Sequence, residues 1–214
     1  MRLAIFDVDG TVLRGNSWQE YFWWAVRRWP RQAPGLLVTL AGRKLGLVQA
    51  RALRDAALRP LRGMSREDVG AVGRVIFENV LKGRIRAAAR AEIARARAEG
   101  FVPVLATGTF HFLAEPIAQE LGVEATVCTG LEFAGEECRG CIGGAETRGA
   151  AKAAAVAARF SGRMVNWAGS RAYSDELEDA PLWAMVGDAV LVCAAGCRPA
   201  EAPERVRVVE WADA

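Results

Sequence analysis

Lysine is nearly absent from this chain. Of its 28 Lys and Arg residues, only Lys44, Lys82 and Lys152 are lysines, so arginine serves wherever a generic surface cation is wanted. An excess of one charge is lacking too: the formal net charge is +3, and no basic stripe with interleaved aromatics occurs, which excludes nucleic acid as a partner. No uncharged run approaches the length of a transmembrane span. Asp7 and Asp9 interrupt the N-terminus where the apolar region of a secretion signal would lie. The chain is therefore expected in the cytoplasm, with Cys128, Cys138, Cys141, Cys193 and Cys197 reduced. Cys138-x-x-Cys141 has no second such pair, so free thiols are expected rather than a zinc site. Gly144 to Lys152 lacks the Gly-Lys-Ser/Thr of a P-loop. Internal repeats and low-complexity tracts are missing as well.

What is present suits one substantial core with a small insertion: 214 residues, 52% hydrophobic and 25% charged. Leu3-Ala4-Ile5-Phe6 reads as a strand buried on both faces. From Val12 to about Gly100 the pattern is helical. Ser17 is expected to cap a first helix that Pro30 closes, followed by helices near Pro34–Leu45, Val48–Leu61, from Ser65, and Arg84–Glu99. Alternation starts at Phe101, with strands at 102–106, 125–128, 171–174, 189–193 and 206–209. Helices are expected over 110–121, 148–160 and 176–185, and a hairpin over 132–142. This order implies an α/β fold, a doubly wound and mostly parallel Rossmann-like sheet, with an inserted all-helical cap. The boundaries predict a core of residues 1–13 and 100–214 and a cap of 14–99.

Four segments carry chemistry. Asp7-Val8-Asp9-Gly10-Thr11 places two carboxylates at the carboxyl end of the first strand. Their mutual repulsion calls for a divalent cation between them, a nucleophile paired with a general acid, or both. Thr107-Gly108-Thr109 ends the second core strand. It suits a phosphate corner, in which Thr107 donates and the Gly108 and Thr109 N–H groups point inward, or a simple helix cap by Thr109. Lys152, in a chain that otherwise uses arginine, suggests a required point charge. Asp175 and Asp179 are spaced to share one helical face, as a metal ligand and an orienting acid would.

In this order, these residues resemble the haloacid dehalogenase-like hydrolases, whose motifs are Asp-x-Asp-x-Thr, a Ser/Thr, a Lys and a paired-acid segment. The helical insertion after the first motif is similar to that of the phosphoserine-phosphatase-like subfamily. The resemblance implies that Asp7 attacks phosphorus and Asp9 moves protons. It implies Mg²⁺ held by Asp7, the Asp9 carbonyl and Asp175, with Thr107, Gly108 and Lys152 on the phosphoryl oxygens and Asp179 orienting Lys152. The implied activity is hydrolysis of a small phosphorylated metabolite. The alternatives are transfer of the phosphoryl group to an acceptor alcohol, or a catalytically weakened binding or membrane-peripheral protein.

The chain departs from that pattern in places. Asn16 stands where phosphoserine phosphatases carry a glutamate, and their cap arginine falls by count near Ala57, with Arg54 close by; both argue against phosphoserine. Asn16, Trp18 and Arg54 are the candidates for contact with the substrate's organic part. Glu178 stands where relatives carry Asn or Ser, while Glu176 is expected to face solvent. Trp18, Phe22 and Trp29 are spaced as a core-facing stripe, with an apolar wall for a lipid-like or aromatic phosphomonoester as the sharper reading. Arg27, Arg28 and Arg31 could meet an anionic membrane surface. His111 is expected on a helix surface.

Overall fold

Leu3, Ala4, Ile5 and Phe6 have no solvent exposure, as a central strand flanked on both edges and both faces requires. They form β1 (Arg2–Phe6) in a computed structural model that describes residues 1–194, 196 and 205–212. Strand β1 pairs in parallel with β2 (Phe101–Phe110) on one side and β6 (Arg171–Ser174) on the other, with Phe6 opposite Leu105 and Tyr173. β3 (Ala125–Thr129) extends the sheet beyond β2, while β7 (Asp188–Ala194) and β8 (Val206–Trp211) extend it beyond β6. The order β3-β2-β1-β6-β7-β8 is doubly wound, and its direction reverses between β1 and β6. Ligands bind outside the carboxyl ends of strands at such a reversal.

Between β1 and β2 lie α1 (Ser17–Arg28), α2 (Ala33–Lys44), α3 (Ala50–Leu58), α4 (Arg66–Ile76) and α5 (Ala87–Ala98). Ser65 caps α4 through a reciprocal box with Asp68, which contributes about 1 kcal/mol. α6 (His111–Leu121) ends at Gly122 in the left-handed conformation. The hairpin β4 (Leu131–Ala134) and β5 (Glu137–Ile142) reaches toward α3, where Asp55 accepts the Ile142 N–H at 2.8 Å. α7 (Gly149–Arg159) and the short α8 (Ala180–Trp183) complete the order.

Alternation along β1 divides the core. Phe6 faces α5, α6 and the inserted helices and stacks on Tyr173 at 4.5 Å. Leu3 and Ile5 face Val156, Leu182 and Trp183 of α7 and α8.

Some expected boundaries move. Asn16, not Ser17, is the N-cap of α1, its side chain accepting from the Gln19 N–H. The helix expected from Glu176 is instead a 3-10 turn, Leu177–Asp179, before α8, because Pro181 starts a new helical turn. Phe22 is buried, whereas Trp18 and Trp29 are half-buried against the core. His111 is also half-buried, its ring packed on Phe112 and Phe133, rather than lying on the surface. Cys128, Cys138, Cys141 and Cys193 are free thiols, and Cys197 lies outside the described residues. Among those residues no helix is long and apolar enough to cross a membrane.

Candidate active site

The strand reversal brings the four sequence segments together. Asp7 follows β1 directly, its N–H donating to Tyr173 O at 2.9 Å. The chain then turns at Gly10 (φ +81), where an added Cβ would fall 2.0 Å from Asp175 Oδ2. Only glycine allows the first acidic segment to pass so close to the last. Thr11 donates its hydroxyl to Asp175 Oδ1 at 2.9 Å, tying the loops after β1 and β6.

Lys152 comes from the first turns of α7 and is 2% exposed. Its Nζ donates to Asp7 Oδ1 at 2.8 Å and to Asp179 Oδ2 at 2.5 Å. Ser174 donates to the same Asp179 oxygen at 2.6 Å. Burial works against the ammonium, but Asp7 and Asp179 more than offset it, so its pKa is raised and its charge is held. An arginine would spread its donors over a planar fork instead of presenting one nitrogen to both acids.

The two acids of the first segment have different partners. Asp9 accepts the Ser17 N–H at 2.7 Å, the Ser17 hydroxyl at 3.0 Å and the Thr109 hydroxyl at 3.2 Å. Burial raises its pKa against these neutral donors. Asp7 is raised to about 8, mainly by burial, with Lys152 only partly opposing. Burial raises Asp175 as well, against the Thr11 hydrogen bond.

Asp7, Asp9, Thr107, Gly108 and Lys152 line one polar cavity of about 40 Å³ together with Asn16, Trp18, Arg54, Arg148 and Glu176. All three candidates for the substrate's organic part thus reach the same space. Arg54, however, is engaged: its guanidinium donates to Gly108 O at 2.6 Å, pairs with Glu146 at 3.0 Å and lies 4.5 Å over the Phe110 ring.

Three expectations change. The Thr109 N–H does not point inward but donates to Thr107 Oγ1 at 3.1 Å, and Thr109 does not cap α6, whose N-cap is Phe110. Glu176 does not face solvent alone; it lines the cavity and pairs with Arg148 at 3.3 Å. Glu178 is the more exposed of the two, 3.4 Å from the same arginine. Ser17, Ser174, Arg148 and Glu146 were not marked by the sequence as site residues.

Among the described residues no three His, Cys, Asp or Glu side chains form a ready-made metal cluster. The fit of a cation rests instead on two carboxylates and a carbonyl. Asp179 Oδ1 is buried without a hydrogen-bond partner, and burial raises both Asp7 and Asp175. A hard divalent cation held by Asp7, Asp175 and the Asp9 carbonyl would offset the burial penalty on the two carboxylates, and oxygen donors are what Mg²⁺ prefers.

Known proteins are similar to this chain along most of its length. The family model described as haloacid dehalogenase-like hydrolase matches residues 4–184. The phosphoserine phosphatase SerB1 of Mycobacterium tuberculosis is 28% identical over 197 residues, covering 88% of this chain but 64% of that protein. The chain thus spans less than two thirds of that relative. A solved structure of a protein with unknown function from Bordetella pertussis Tohama I superposes with a TM-score of 0.75 at 24% identity, covering 89% of each chain. A substrate-bound phosphoserine phosphatase complex superposes with a TM-score of 0.62 at 16% identity, covering 90% of this chain and 86% of that one. These two likenesses are of fold.

Proposed function

The chain belongs to the haloacid dehalogenase-like hydrolase family, and from that premise we propose that it is a Mg²⁺-dependent phosphomonoesterase working through an aspartyl-phosphate on Asp7. The observation that carries this reading is the division of labour between the two acids. Asp7 accepts from an ammonium, whereas the hydrogen bonds to Asp9 among the described residues come from neutral donors.

Lys152 engages Asp7 Oδ1, while among the described residues Oδ2 accepts no hydrogen bond. That oxygen attacks phosphorus as the bond to the leaving oxygen breaks, and Asp9 gives its proton to the departing alkoxide. Water then loses a proton to Asp9 and attacks the phosphorus of the aspartyl-phosphate, which releases inorganic phosphate and frees Asp7. Lys152 and the Thr107-Gly108 corner face the negative charge that builds on the phosphoryl oxygens. Asp7, the Asp9 carbonyl and Asp175 would hold Mg²⁺, which supplies charge neutralisation for the phosphoryl group and keeps Asp7 ionised.

Helices α1 to α4 act as a cap over this corner. Phosphoserine fits the cavity poorly, because Asn16 offers no charge to an ammonium and Arg54 is already committed to Glu146 and Gly108. Trp18 lines both the polar cavity and a groove of about 280 Å³ with Phe22, Trp23, Leu40 and Leu53. That supports an apolar leaving group.

The test is hydrolysis of an aryl phosphate with and without Mg²⁺; turnover that a chelator does not remove would contradict the reading. The Mg²⁺ affinity is expected to rise with pH up to about 8 and to level off above, because Asp7 must release its proton to bind. Between 3.8 and about 8 the folded metal-free protein holds a proton that the unfolded chain has lost, so Asp7 lowers stability as pH rises through that window. Added Mg²⁺ should therefore raise the melting temperature more near the top of the window than near its middle.

Ser17→Ala should lower kcat roughly tenfold or more with KM little changed. Because the lost hydroxyl was holding the Asp9 pKa down, the limb of the pH–rate profile due to Asp9 should move upward. An unmoved limb would remove Ser17 from this role.

A further inference from the structure

Helix α2 buries only Leu36 of its twelve residues. Pro34, Val38, Ala41 and Leu45 recur at i, i+4, i+7 and i+11, which places them on one face. The Leu36 side is turned away from it. Val38 is 72% exposed and Leu45 74%, so among the described residues no element covers this apolar stripe. After α2 the chain turns at Gly46, and the Leu47 and Val48 N–H groups both return to Gly42 O. Leu47 is left exposed at this turn, and Trp23 of α1 and Leu37 are exposed as well. Of the ten large apolar side chains exposed among the described residues, five lie between residues 23 and 47, which makes this a patch rather than scatter.

Charge is segregated over the same segment. The whole chain nearly balances 28 basic against 25 acidic residues, yet no Asp or Glu occurs between Glu20 and Asp55. Arg27, Arg28, Arg31, Arg43 and Lys44 are all exposed. None of these five forms an ion pair among the described residues. The complement of an apolar patch edged by unpaired cations is a surface that is apolar within and anionic at its rim.

We propose that the α1–α2 segment docks the protein on an anionic lipid surface. Val38, Leu45, Leu47 and Trp23 enter the headgroup–acyl boundary, and the five cations meet lipid phosphates. Basic residues and tryptophan edging an apolar face are the composition of an interfacial helix.

The test is cosedimentation of the full chain with phosphatidylcholine vesicles, with and without phosphatidylglycerol, across a salt series. Binding is expected only with the anionic lipid and should weaken as salt shortens the Debye length. The double variants Val38→Glu/Leu45→Glu and Arg27→Glu/Arg28→Glu should each cut partitioning about tenfold or more. Because these side chains are exposed, the melting temperature and the hydrolysis of a soluble aryl phosphate should stay unchanged in both. A wild-type chain that remains in the supernatant, or variants that bind as well as it does, would overturn the proposal. So would lipid-free dimerisation that Val38→Glu/Leu45→Glu abolishes, which would assign the patch to a second copy. Vesicle binding does not require turnover, so its failure is distinct from a failure of the phosphatase reading.

Discussion

Asp7→Asn is expected to reduce hydrolysis by more than about a thousandfold, the scale seen when a covalent nucleophile is removed. The amide is nearly isosteric but does not attack phosphorus. Stability should hold, because the ordinary way a buried substitution destabilises is by opening a cavity or stranding a charge. Asparagine does neither here: its carbonyl still accepts from Lys152 Nζ, now 2.8 Å from Asp7 Oδ1, and Lys152 keeps Asp179 at 2.5 Å. Burial raises the pKa of the native carboxyl to about 8, so the neutral amide is better tolerated than an ionised acid in the metal-free protein. Parallel kinetics and thermal melts check both halves. Undiminished activity would remove Asp7 as nucleophile, and a collapse in melting temperature would mean that the loss of activity reports unfolding.

Lys152→Met should differ in its stability, with stability and activity both falling. The ammonium is buried between two acids, and removing one partner of a buried ionic cluster costs about 3–5 kcal/mol, since the charges left behind stay desolvated. The same change removes a cation that faces the developing phosphoryl charge, which is worth about a hundredfold or more in kcat. Without Lys152 to oppose burial, Asp7 holds its proton to still higher pH. Relative to the wild type, the variant should therefore lose extra melting temperature as pH rises above about 8 and recover that extra loss as pH falls back to about 8. Lys152→Arg should not restore the wild type, because a guanidinium fork does not reproduce one nitrogen in contact with both acids. Denaturant titration at two pH values separates these effects. A variant as stable as the wild type at neutral pH would show that the cluster is not structural.

Much of this arrangement was legible because parallel α/β sheets place chemistry at strand ends. Asp7 and Asp175 each directly follow the last residue of a strand, Thr107 lies in β2 just past Leu105, the last residue paired with β1, and β1, β2 and β6 are neighbours. The lone buried lysine stood out because the chain uses arginine elsewhere. What stayed hidden depends on partners distant in sequence. Ser17 has the composition of a helix cap, yet its hydroxyl meets Thr109, 92 residues away, and Asp9. Thr109 likewise looks like a cap by local rules, but its hydroxyl is turned to Asp9. Glu176 was placed by periodicity on a helix that Pro181 delays, so its position at the cavity wall could not be read. The exposed stripe of α2 was out of reach for a different reason. Periodicity reveals that a face is apolar, not whether another element covers it.

In the proposed reaction Asp7 carries the phosphoryl group. Acid-quenching the protein during turnover and reducing it with borohydride converts an aspartyl-phosphate to homoserine, which peptide mass spectrometry locates. Homoserine at position 7, dependent on substrate and Mg²⁺ and absent in Asp7→Asn, is the predicted result. Homoserine at Asp9 or Asp175, or turnover with none at position 7, would contradict it.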